Sequence, residues 1–465
     1  MSKLRNALLD FMMRTGVMQR EFQSLDTNCN PVNGAASKPR SCKRCYGASM
    51  QLTLCKQSAL AILRSLRAKG SASTGGSRHS SNHLTAGARR ASSKRVDLLP
   101  PDPSPGKRWT RGLLESVGHD LPFEFAGKTL DFAVPDGSSR IRVSDSTWTV
   151  FSKGIPKGAF IRTRCSTDDC VLAISSPELL FVELAKYMHP VEHLMLGHEL
   201  CGSFSRDAED PYNGPITYGV QPATSVERIR HFLDEARNIH GIEAARTTLE
   251  YLNDNAWSPT ESLVAALLRL PMDSLGYGFG ELVLNPRVSP RVALPGTASS
   301  RVPDIIIAGT PVGVNYDGAV HLDLDSIVNA AREVETNPQL LQAQESLSKA
   351  VRSVRAKVVD DIRRNRELAA DGFAVFPVVK EDLYPKGGLD QIVAHLVSTI
   401  EQLTHCDMTE QKKILRMKRL ADARWRMALS LMPGKHERSI HVGRFICGHE
   451  VVEGSLKEYE SWIEL

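Results

Sequence analysis

Two aspartates and an asparagine lie where a hairpin would bring them together: Asp304 in RVPDIIIA, and Asn315 with Asp317 in PVGVNYDG. If Gly309-Thr310 forms the tip of an even-numbered loop, Asp304 faces Asn315 directly on one side of the sheet, with Asp317 on the diagonal. Two carboxylates and an amide at that separation make an oxygen-rich pocket for a hard divalent ion, so Asp304, Asn315 and Asp317 are the candidate metal ligands. Solvated aspartates also end strands, which leaves a plain structural role open on spacing alone. His321 follows soon after. Further on, Asp361, Arg364, Asn365 and Leu368 share one helix face, with Gly372 as a C-cap before the apolar FAVFPVV.

The elements that must hold these residues can be read in order. Ser258-Pro259-Thr260-Glu261 combines a cap, a first-turn proline and a third-position Glu, a capping box for the helix SPTESLVAALLRL with Leu263, Leu267 and Leu270 on its buried face. A Gly-rich turn (LGYGFGELVL), the two strands, a long helical stretch from about Asp323 to Asp371 and the strand FAVFPVV follow. The last helical segment, from about Leu389 to Met432, is expected to end near Gly434. Upstream, KTLDFAVP, SRIRVS, WTVFS, GAFIRTR and CVLAIS alternate between turn signals and predict a small sheet. SSPELLFVELAKYM, HPVEHLMLGHELCGSF, SVERIRHFLDEARNIHG and IEAARTTLEYLND then predict a helical layer. Near Met50, MQLTLC and QSALAILRSLR read as a strand and a helix. Between Lys69 and Trp109 the chain is rich in Ser, Gly, Pro and Arg and offers nothing to bury.

From about Ser258 to Val397 the chain resembles the very-short-patch-repair-endonuclease-like branch of the PD-(D/E)xK restriction-endonuclease-like superfamily. Ser258, Pro259, Glu261, Asp304, Asp317, Gly318, His321, Asp361, Arg364, Leu368 and Gly372 carry the resemblance, in the family's order. It implies a metal-dependent phosphodiesterase in which Asp304 and the second-strand acid hold Mg²⁺ (or Mn²⁺) and His321 positions or deprotonates a water. Glu261 would hold a further water, and Arg364 would steady a phosphate or pair with Asp361. The catalytic candidates are therefore Asp304, Asp317, His321, Glu261 and Arg364. Asn315 stands where the family places Glu, which removes one negative charge from the ligand set. The 39 residues between His321 and Asp361 replace a shorter family connection. More loosely, the region from about Lys128 to Glu250 is similar, through ISSPELLFVELA, to antitoxin-like proteins of the abortive-infection E system.

The expected architecture is α/β in several parts. An irregular N-terminal extension (1–49), a strand–helix segment (50–68) and a flexible basic linker (69–120) precede an antitoxin-like sheet plus helical layer (121–255). A restriction-endonuclease-like domain of mixed sheet flanked by helices (256–400) and a C-terminal helical extension (401–465) complete it. A chain of 465 residues with 42% apolar and 24% charged residues has ample core volume, and its net charge of +5 permits a nucleic-acid partner without demanding one. No apolar run is long enough to span a bilayer, and the start MSKLRNALLDFMMRTG has no signal-peptide centre, so a cytoplasmic protein without a membrane partner is expected. Nine scattered cysteines point to reduced thiols.

Other signals carry less. His189, Glu192 and His193 spell H-x-x-E-H, yet the internal proline favours a pair of helix-surface histidines over an inverted zinc-protease motif. Cys42 and Cys45, with Cys29 and Cys55 nearby, have outer spacings that match no zinc knuckle. Arg89-Arg90, Lys94-Arg95 and the late run Lys412, Lys413, Arg416, Lys418 and Arg419 read first as solvated faces and second as phosphate contacts. Two functions stay open. One is a Mg²⁺-dependent endonuclease; the other is a catalytically inactive regulator that binds nucleic acid, with DNA the expected kind, or a cognate toxin.

Overall fold

The computed structural model describes residues 50–72, 88–90, 129–134, 140, 146–151, 154–164, 170–289, 299–317, 324–336 and 341–433. The chain divides into two units, Met1–Gly47 and Ala48–Leu465, and all of these residues belong to the second. The expected N-terminal extension, the cysteines at 29, 42 and 45, and the stretches after 433 lie outside the described residues, as do Lys94-Arg95 and Gly434.

KTLDFAVP, WTVFS, GAFIRTR and CVLAIS contribute strands to a sheet of β1 (Met50–Leu54), β2 (Ala88–Arg90), β3 (Leu130–Val134), β4 (Ser146–Val150), β5 (Phe160–Arg164) and β6 (Cys170–Ser175), while SRIRVS, apart from Arg140, lies outside the described residues. The strand order is β2-β5-β6-β1-β3-β4. β1 runs parallel to β6 and antiparallel to β3, so it is an inner strand rather than part of a separate segment. Strand β2 falls inside the stretch expected to be a linker, where Ala88–Arg90 pair antiparallel with β5. Backbone pairing accounts for this difference: an edge strand needs no buried side chain of its own, so composition does not reveal it.

Helix α1 (Lys56–Ala72) packs on β3 and β6, and its Leu60 and Leu63 join Phe132, Phe160 and Phe181 in the core. The helical layer follows as α2 (Pro177–Leu184), α3 (Pro190–Cys201), α4 (Val226–Glu235) and α5 (Ile242–Leu249), with the two-stranded ribbon β7 (Phe204–Ser205) and β8 (Thr217–Tyr218) after α3. Ser176 caps α2 by accepting the Leu179 N–H, and Pro177 fits the first turn, where no N–H is needed. Buried Glu199 of α3 ties the layer to α1: its carboxylate takes two bonds from Arg64, at 2.7 and 2.8 Å, and one from the Arg206 N–H at 3.0 Å.

Helix α6 (Pro259–Arg269) is buried all round rather than on the single face of Leu263, Leu267 and Leu270, because α3 and α12 (Lys418–Leu431) both pack against it. A second sheet follows: β9 (Leu282–Leu284), β10 (Ile305–Ile307), β11 (Val312–Asp317) and β12 (Ala374–Val379), in the order β12-β11-β10-β9. Strands β9, β10 and β11 are antiparallel neighbours, and β12 returns parallel to β11. β9 lies within the stretch expected to be only a Gly-rich turn. Two helices, α7 (Leu324–Thr336) and α8 (Leu341–Ala370), replace the single long helical stretch and pack against each other before β12. After the short α9 (Lys380–Leu383), helix α10 (Gly388–Thr404) covers β11 and β12, and α11 (Thr409–Arg416) and α12 are the last elements among the described residues. Asp390 of α10 takes Arg424 of α12 at 2.6 Å, and this buried arginine lies 3.7 Å over the Tyr277 ring, so the C-terminal helices are part of the same body. No helix among the described residues is long and apolar enough to cross a membrane.

Candidate functional site

Ile305 pairs with Val314 and Ile306 with Gly313, which is the hairpin register expected from the sequence and places Asp304 across from Asn315. Gly309 sits in the tip at φ +76°, a left-handed conformation that glycine adopts without strain. On the other edge of β10, Ile305 pairs with Leu284, so Asp304 also faces Asn285. Asn285, Asp304 and Asn315 therefore form one polar row across three strands.

Hydrogen bonds tie the row together. The Asp304 N–H donates to Asn315 Oδ1 at 3.0 Å, and the Tyr316 N–H donates to Asp304 Oδ2 at 2.6 Å. Asn315, fully buried, donates through Nδ2 to Asn365 Oδ1 of α8 at 3.3 Å. The second carboxylate, Asp317, receives Arg364 at 2.8 Å, and the same guanidinium nitrogen lies 3.4 Å from Asp361, three residues earlier on α8. On the β9 side, Asn285 donates through Nδ2 to the Asn255 carbonyl and to Glu261 Oε1, both at 2.8 Å. With two acceptors holding its nitrogen, the amide orientation is fixed, and Oδ1 is left buried with no partner among the described residues.

Glu261 sits in the first turn of α6, where Ser258 Oγ accepts its N–H as expected of the cap. The reciprocal half of the box is displaced by one residue: the Glu261 carboxylate accepts the Trp257 N–H, at 3.2 Å to Oε2. Burial, and then the nearby Asp304 charge, push the Glu261 carboxyl well above the usual range. Burial also lifts Asp304 to about 6; the Tyr316 N–H and Arg364 pull it down, while Asp317 and Asp361 push it up.

For the expected metal trio, a divalent ion needs oxygens that are both negative and unengaged. Asn315 contributes no charge, and its amide is held at both ends. Asp317 already carries a cation, Arg364. As arranged, Asp304, Asn315 and Asp317 do not fit a divalent ion. The oxygen shown without a partner is Asn285 Oδ1, beside the amide nitrogen that Glu261 accepts, and no arginine or lysine is bonded to Glu261 or Asp304 among the described residues. That corner can share a proton or accept a cation. Among the described residues no three His, Cys, Asp or Glu side chains form a metal-holding group.

Of the sequence-derived candidates, the structure thus assembles Asp304, Asn315, Asp317, Glu261 and Arg364, while His321 and Gly318 lie outside the described residues. Asn285 was missed because it directly follows the segment read as a Gly-rich turn, in a stretch assigned to no element; the apolar LVL before it was the available signal. The H-x-x-E-H histidines are not a surface pair. His189 caps α3 by accepting the Val191 N–H, and buried His193 bonds the Phe181 carbonyl at 2.7 Å, with burial holding it down at about 4. Cys55 is buried at the end of β1. In the late basic run, Lys412 and Lys413 pair with Glu401 and Glu410. Compared with family models, curated proteins and solved structures, the chain matches none.

Proposed function

We propose that residues 258–397 form a restriction-endonuclease-like module that binds the phosphodiester backbone of nucleic acid, DNA in the first instance, without hydrolysing it. The order of elements supports the module: a capped helix, three antiparallel strands, a pair of helices, and a strand returning parallel to the third. The observation that carries the loss of hydrolysis is the engagement of both second-strand residues. Asn315 is bonded to the Asp304 N–H and to Asn365, and Asp317 is paired with Arg364. Arg364 supplies at this position the positive charge that an ion would otherwise bring. In this reading Asp304 anchors the β10–β11 pairing through Tyr316, and the chain acts as a regulator. The looser likeness of the middle region to antitoxin-like proteins favours a cognate toxin as its protein partner.

One observation favours a second reading, a Mg²⁺-dependent nuclease: Glu261 and Asp304 are neighbouring acids with an unengaged amide oxygen beside them.

Fluorescence anisotropy of a labelled DNA duplex, titrated with the protein at rising salt, tests the binding. The expected result is saturable binding at low salt whose affinity falls linearly in log–log form with salt concentration. No binding at low salt would remove nucleic acid from the proposal.

A further inference from the structure

Helix α8 is 30 residues long, yet only Ala343 and Leu368 are buried. The face turned inward carries Asp361, Arg364 and Asn365 to the site. The adjoining face shows Val351, Val358, Val359 and Ile362 to solvent, with Ile362 56% exposed. Val351, Val358 and Ile362 recur at i, i+7 and i+11, which on a helix is one continuous stripe. Six of the thirteen large hydrophobics exposed among the described residues lie on α7 and α8, so this is a concentration and not scatter.

Arginines dominate the charge beside the stripe. Asp360 and Glu367 are drawn to Arg301, at 2.9 and 2.6 Å, and Asp361 to Arg364. Arg352, Arg355, Arg363 and Arg366 remain exposed alongside the stripe. A second copy of α8 would set these arginines against each other. The stripe calls for an apolar and acidic occupant, and the chain contains one. Residues 450–464, EVVEGSLKEYESWIE, hold five Glu against one Lys, with Val452, Leu456, Tyr459 and Ile463 at i, i+4, i+7 and i+11. The 17 residues between Met432 and Glu450 can reach up to roughly 60 Å when extended, so tether length does not limit the contact.

The geometry points to an intramolecular docking surface: the Val351–Val358–Ile362 stripe of α8, rimmed by arginines, takes the acidic segment 450–464 of the same chain. This goes beyond the nucleic-acid reading and does not depend on it. Docking would cover the apolar stripe and offset the arginine rim with glutamates.

Photo-crosslinking in the full chain tests it, with p-benzoylphenylalanine placed at the exposed Val358 and, as a control, at the exposed Val283 of β9. The expected product is a crosslink from 358 to a peptide within 450–464 at monomer mass, absent from 283. Reversing Glu453, Glu458 and Glu460 to Lys should reduce it at least fivefold, and adding Arg352→Glu, Arg355→Glu and Arg363→Glu should restore it. A crosslinked dimer would assign the stripe to a second copy. A crosslink insensitive to the reversals, or none to 450–464, would overturn the docking. So would a tail crosslink formed equally from 283.

Discussion

Asn315 and Asn365 are bonded side chain to side chain at 3.3 Å, which locks the middle of β11 to helix α8. The same amide accepts the Asp304 N–H, so one buried residue joins two strands and a helix. Replacing Asn315 by Ala leaves that N–H and Asn365 without their partner, at a cost of about 1–3 kcal/mol. Urea unfolding should show a lower midpoint with an unchanged slope. An unchanged midpoint would mean that the amide is not structural.

Arg364 holds two aspartates, and its removal should alter how the site responds to ions. In Arg364→Gln, Asp317 and Asp361 face each other without a cation, and the variant should be less stable by about 1 kcal/mol, given the partial exposure of the pair. Millimolar Mg²⁺ should then raise its Tm, while leaving the wild type unmoved. Equal Mg²⁺ shifts in both proteins would contradict the role assigned to Arg364.

A pH effect follows from Glu183, far from this site. Burial raises its carboxyl to about 7, although the Lys56 N–H, at 3.1 Å, and Ser175 oppose the shift. A carboxyl whose folded value is raised binds its proton more tightly when folded. Its contribution is therefore fully present below about 4.5 and is lost as pH rises through 7. Glu183→Gln should remove this decline and be more stable than the wild type at pH 8, by on the order of 3 kcal/mol. Parallel stability–pH curves for the two proteins would show that Glu183 titrates normally.

Removing Glu199 should be among the costliest single changes. Arg64, Arg67 and Arg206 are all buried around it, and Glu199→Ala leaves Arg64 without its carboxylate, a loss of about 3–5 kcal/mol. Thermal unfolding, or failure to accumulate as folded protein, reads this directly.

The β10–β11 register followed from loop length and strand period, and the caps at Ser176 and Ser258 from local chemistry, because these depend on neighbouring residues alone. What escaped depends on distant partners. β9 and β2 are three-residue strands defined by pairing with β10 and β5. The surroundings of His193 and His198 depend on helices that pack from elsewhere in the chain, and burial holds His198 down at about 3. The candidate site shows the same division: Asp304, Asn315 and Asp317 could be placed from spacing, whereas Asn285 entered only through the pairing of β9 with β10.

On the proposed reading, this module holds nucleic acid while its second-strand residues are engaged elsewhere. The most direct measurement is plasmid nicking in Mg²⁺ and in Mn²⁺, at a salt concentration where binding is saturated, with and without chelator. The wild-type protein is expected to bind the plasmid and leave it supercoiled under every condition. Nicking by the wild type that disappears on chelation, and is lost in Asp304→Ala while binding persists, would contradict it and make the protein a metal-dependent nuclease.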